Sequence, residues 1–232
     1  MKKLINIVAA AFFGAASLAP ESIDARTNLT GTAHSSIITD EYFNMNLTNR
    51  FYYSGIRYYE KRKYAKAIEN FENAVDTIAP SRNSKGNLSH AMASTWIAHS
   101  YRQLAYISSN NLNKQAYFLK SLELYRGAIK EYELYGANFP KLKKKIDENI
   151  ADEHLFIASS YYGMGDVENG TKYAITSLKK NSEEVNRKLF VEMIWRLDSD
   201  KREWIIRKIN KELDKSTSAE IIKNIKLDNQ EQ

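Results

Sequence analysis

The chain has 232 residues, no cysteine, and 34 Lys plus Arg against 28 Asp plus Glu, for a net charge of +6. The missing cysteine excludes a disulfide framework, a Cys-ligated zinc or iron–sulfur site, a cysteine nucleophile and a lipidated-cysteine anchor. Hydrophobic residues at 43% with 27% charged suit a folded domain with a sizeable core, and nine Gly with three Pro are too few for a turn-rich β architecture.

Lys2 and Lys3 precede an apolar run of 15 residues, Leu4 to Leu18, broken only by Asn6. A membrane-spanning helix needs roughly 20 apolar residues. The shorter run reads as the core of a secretory signal, and Ser17-Leu18-Ala19 has the small-x-small form of a cleavage site. Pro20 disfavours that site, so Ala16 and Ala25 are alternatives. The expectation is a signal peptide at 1–19 and an exported protein, periplasmic or secreted. Residues 20–39, rich in Ser and Thr and without a period, read as a flexible lead-in. Losing Lys2 and Lys3 leaves a net +4, too mild a surplus to point to nucleic acid.

From Asp40 onward the pattern is helical and the fold class is all-α. The periodicity predicts helices at 41–61, 64–78, 88–108, 113–135, 141–163, 167–180, 183–196, 199–214 and 218–227. Pro80 to Asn87 cannot sustain a helix cheaply. Gly136 is expected to end one helix, Pro140 to open the next, and Gly165-Asp166 to make a tight turn. Asp198 is placed as an N-cap, and Thr217 with Glu220 has the spacing of a capping box.

The spacing of Phe51, Gly55, Tyr58, Tyr64, Ala67, Phe71 and Ala74 is the most informative feature. Small Gly55 and Ala67 let two antiparallel helices approach, and Tyr58 and Phe71 fill the groove beside them. A second copy runs Ile97, Ala98, Tyr101, then Ser121, Tyr125, Ala128, with about 11 extra residues between its halves. A third runs Ile157, Ala158, Tyr161, Gly165, Gly170, Ala174, Ser177. These copies resemble the tetratricopeptide repeat, W-x2-L-G-x2-Y…A-x3-F-x2-A…P. The anchors Gly55, Ala98 and Ala158 stand 43 and 60 residues apart, so the array is irregular and its helices longer than the 34-residue standard. The resemblance implies a superhelix of three hairpins over residues 40–182. Residues 183–232 then serve as capping helices and tail, with Leu189, Phe190, Met193, Ile194 and Leu197 as one apolar stripe and Trp204, Ile205, Ile209 and Leu213 as another.

In such repeats the first helix of each pair lines a concave groove that binds a protein or peptide segment. Carried onto this chain, the groove positions are Asn49, Tyr52, Ile56 and Tyr59, then Thr95, His99 and Arg102, then Asp152, Leu155, Ser159 and Tyr162. Tyr52 and Ile56 stand where the family's carboxylate clamp needs cations or Asn, so a receptor for chain-terminal carboxylates is not expected. Lys61-Arg62-Lys63 and Lys141 with Lys143-Lys144-Lys145 are basic clusters, expected on solvated faces in preference to a membrane surface.

No catalytic or metal site is expected, and no cofactor. His34, His90, His99 and His154 show no metal-ligand spacing, and no HExxH, phosphate loop or nucleophile elbow occurs. Asp152-Glu153-His154 are consecutive, so on a helix they diverge by about 100° each. The favoured reading is an exported, non-catalytic interaction scaffold. The alternative is an exported cell-wall or polysaccharide-active enzyme, because two carboxylates about 5–9.5 Å apart leave no sequence signature.

Overall fold

A computed structural model describes residues 49–78 and 88–228. The expected signal peptide at 1–19, the lead-in at 20–39 and the Pro80 to Asn87 connection lie outside the described residues. Within them the chain is all-helical, with no strand. Its helices are α1 (49–60), α2 (Tyr64–Thr77), α3 (Leu88–Ile107), α4 (Asn111–Asn138), α5 (Lys143–Gly163), α6 (Val167–Lys180), α7 (Glu184–Ile194), α8 (Ser199–Glu212) and α9 (Lys215–Asp228).

From α2 to α6 each helix packs chiefly on its chain neighbour. The three first helices, α1, α3 and α5, lie parallel. Tyr52 hydrogen-bonds Trp96, and further along α1 Tyr59 reaches Arg102 and Gln103. Thr95 reaches Glu153 at 2.5 Å, and further along α3 the Tyr106 hydroxyl donates to the Ser159 carbonyl at 2.8 Å.

The small anchors sit at the helix crossings. Ala67, Phe71, Ala74, Ala98, Ser121, Tyr125, Ala128, Ala158, Ala174 and Ser177 are all fully buried. A Cβ on Gly55 would stand 2.6 Å from the Phe71 ring, and one on Gly170 would stand 2.7 Å from Tyr162. Neither position has room for a side chain.

The first and third hairpins turn in the same way. Lys63 N–H donates to the Tyr58 carbonyl and Arg62 N–H to that of Tyr59; Asp166 and Gly165 donate likewise to Tyr161 and Tyr162. These paired bonds form the Schellman ending, which puts one residue in the left-handed region. That residue is Arg62, with φ 57°, in the first turn and Gly165, with φ 84°, in the third. In the third, Asp166 then caps α6 by accepting from Asn169 N–H at 3.0 Å.

The extra residues of the second hairpin become helix rather than loop. α3 runs nine residues past Ala98, where α1 runs five past Gly55; α4 starts ten before Ser121, where α2 starts three before Ala67. A three-residue link joins them, and Asn110 caps α4 by accepting from Leu112 and Asn113 N–H. Phe118 is buried against Gly163 at the end of α5. The seven residues of α4 before Phe118 therefore run about 10 Å past that level, and they carry Leu112, which is 78% exposed.

Two expected boundaries differ. Gly136 does not end a helix: it is buried where α4 crosses Ile146, and α4 continues to Asn138. There only a small residue fits, and small residues inside helices mark close packing as well as ends. Nor does Thr217 open the last helix. Asp214 accepts from Thr217 N–H at 2.9 Å and α9 begins at Lys215, while Glu220 pairs with Arg187 at 2.9 Å. A carboxylate three residues upstream satisfies the first amides directly.

The C-terminal helices share a core with the last hairpin. Leu155, Ala158, Tyr162, Ala174 and Leu178 form one cluster with Phe190, Val191, Ile194, Ile205, Ile209, Ile221 and Ile225. Leu189, Met193, Leu197, Trp204 and Leu213 pack around it, partly buried.

Candidate functional site

The residues expected to line the groove divide sharply. Asn49 is exposed, and Tyr52, Ile56 and Tyr59 are half-buried along α1. Thr95, His99, Arg102, Leu155, Ser159 and Tyr162 are all buried. α3 is enclosed on nearly every side by α1, α2, α4 and α5, so its expected groove positions meet neighbouring helices instead of solvent. Leu155 and Tyr162 belong to the C-terminal core, and the Tyr162 hydroxyl lies 3.0 Å from that of Thr171. Ser159 is held by Tyr106, whose hydroxyl is 2.9 Å from the serine hydroxyl. The reason is geometric: the first helices lie side by side closely enough for their facing residues to touch.

Those buried residues form a polar interior. His99 Nδ1 is 2.6 Å from the Tyr125 hydroxyl. Burial, with Arg102 nearby, holds the His99 pKa well below its ordinary value, so the ring is neutral. Trp96, Tyr125 and Phe156 surround it edge-on, with ring centroids 5.4, 5.4 and 4.4 Å away. The Arg102 guanidinium lies 4.6 Å from the centre of the Phe156 ring, within cation–π range. Glu153 is 2% exposed and accepts from Thr95; burial pushes its pKa up to about 8. Thr95 also hydrogen-bonds Tyr132, so a hydroxyl chain links α4, α3 and α5.

Sequence reasoning passed over Glu153 as one of three diverging polar neighbours. They do diverge. Asp152, half-buried, hydrogen-bonds Asn186 and is pushed up to about 7 by burial. His154 lies 5.7 Å from the Tyr173 ring, and burial, with Lys180 nearby, lowers its pKa to about 4. A signal for Glu153 existed: it continues the stripe Ile146, Ile150, Ile157 at helical spacing, where a carboxylate must point inward.

At the other end of α5, Lys143, Lys144, Asp147 and Glu148 line an open cleft of about 400 Å³ with Lys180, Asn181 and Glu183. Lys143 pairs with Asp147 at 2.6 Å, and Lys145 with Glu148 at 3.4 Å. Among the described residues, no group of three His, Asp or Glu side chains is placed to hold a metal ion. No described helix is long and apolar enough to cross a membrane. No protein-family model matches the chain, and no curated protein matches it.

Proposed function

We propose that this is an exported tetratricopeptide-like scaffold that binds a protein segment and does no bond-making chemistry of its own. The observation carrying this reading is that the second helix of each hairpin buries anchors at the same steps of four and three residues, Ala67-Phe71-Ala74, Ser121-Tyr125-Ala128 and Gly170-Ala174-Ser177, beside three parallel first helices. Stacked two-helix units leave repeated faces for a partner. Thr95, His99, Arg102 and Glu153 are buried between the helices and face no partner. The binding stripe falls on α1 at Asn49 and Ile56, exposed and half-buried, because Tyr52 and Tyr59 are turned onto Trp96 and Arg102 of α3.

Site-specific photocrosslinking tests the stripe. A benzophenone side chain at Asn49 or Ile56, in cells of the source organism, should give one discrete protein adduct, and the same probe at Arg207 on α8 should not. Equal adducts from all three positions, or none, would remove the stripe. The export half has its own readout: the N-terminus of the extracytoplasmic protein should begin after Ala16, Ala19 or Ala25.

A further inference from the structure

The corner between α4 and α5 carries a surface that the groove reading does not use. Leu134 and Phe139, in and just after the last turn of α4, are 47% and 40% exposed. The Phe139 ring packs on that of Tyr135, with centroids 4.4 Å apart, so the two form one aromatic edge. A single 3-10 turn, Pro140–Leu142, comes next, and α5 opens on Lys143, Lys144 and Lys145 with no acidic residue in its first turn. Lys180, at the end of α6, lines the same cleft as Lys143 and Lys144.

The charges there do not cancel. Asp147 and Glu148 are taken by Lys143 and Lys145, and Glu183 is the third acid of the cleft. Lys141, Lys144 and Lys180 have no carboxylate within ion-pair distance among the described residues. Phe139 stands two residues before Lys141 and five before Lys144, and exposed apolar side chains that close in the chain to unpaired lysines match one kind of surface, in which anionic groups lie at the boundary of an apolar phase. A soluble polyanion would satisfy the lysines but bury neither Phe139 nor Leu134.

We propose that this corner docks on an anionic lipid surface, with Phe139 and Leu134 entering the headgroup boundary and Lys141, Lys144 and Lys180 meeting lipid phosphates. The proposal is independent of what the α1 stripe binds. It is tested by co-sedimenting the full chain with vesicles of phosphatidylcholine alone and with about 30% phosphatidylglycerol. Because the apolar run Leu4 to Leu18 is itself suited to lipid, every comparison is made in a full chain with Leu4, Ile5, Ile7 and Val8 changed to Ser, which silences that run. Binding should require the anionic lipid and fall steeply as salt rises. Lys141→Glu with Lys144→Glu should weaken it at least about tenfold, and Phe139→Ser several-fold, with far-ultraviolet circular dichroism unchanged. Equal binding to both vesicle types, or wild-type binding by the double lysine variant, overturns the proposal. So does binding that inorganic polyphosphate abolishes and Phe139→Ser leaves intact, which would mark a soluble polyanion site.

Discussion

Gly55 leaves no space for a methyl group, because the Phe71 ring lies 2.6 Å from where its Cβ would stand. Gly55→Ala should therefore cost about 1–3 kcal/mol by overpacking. In a Phe71→Leu background the same change should cost less, since the smaller side chain yields. Urea unfolding of the four proteins checks this, and equal costs in both backgrounds would disprove the contact. Glu153 sets a pH dependence of the opposite sense to a surface ion pair. Its folded pKa of about 8 lies above the ordinary 4.5, so the folded state keeps a proton that the unfolded chain releases. Its contribution is most favourable below pH 4.5 and is lost as pH rises to 8, at up to about 1.4 kcal/mol per unit. Asp152, raised from 3.8 to about 7, adds to the same slope. Glu153→Gln should flatten the fall in melting temperature between pH 5 and pH 8; an unchanged slope would show that this carboxyl does not hold its proton.

Turns show how far an element can be read from residues. Gly165-Asp166 announces its turn, since glycine is free at positive φ and Asp caps the next helix. The first hairpin makes the same turn with Arg62 at φ 57°, and Lys63 gives α2 no side-chain cap. Arg62→Gly should therefore stabilise by roughly 0.5–1 kcal/mol and Gly165→Ala should destabilise by roughly 1 kcal/mol. Thermal unfolding of both variants is the check, and same-sign shifts would mean that the two turns are not equivalent. Helix positions were largely legible because period and caps are local. Gly136 and Thr217 misled because a glycine packed against Ile146 looks in sequence like a stop, and because Asp214 competes for the same amides. The 11-residue insertion was visible, but that it lengthens both helices was not, since a loop and two extra turns differ only in what they pack against.

For the whole molecule, the shared core of α5, α6 and the C-terminal helices predicts that the cap and the last hairpin unfold together. Phe190→Ala, at a fully buried position, should cost about 3–5 kcal/mol and accelerate amide exchange in α5 and α6 as well as in α7 to α9. Faster exchange confined to α7–α9 would make the cap a separate unit. The groove residues were the least legible. Thr95, His99 and Arg102 are polar, and polarity at a repeat's inward positions reads as a binding face. Only the close approach of α3 to α1 and α5 turns them into interior contacts. The order of residues by itself determined the helices, the recurrence of small anchors and the two apolar stripes of the C-terminal helices, because each depends on neighbours within a few turns. Whether a polar face meets solvent or another helix was decided by tertiary structure alone, because that depends on the distance between segments some 45–60 residues apart, which no local pattern encodes.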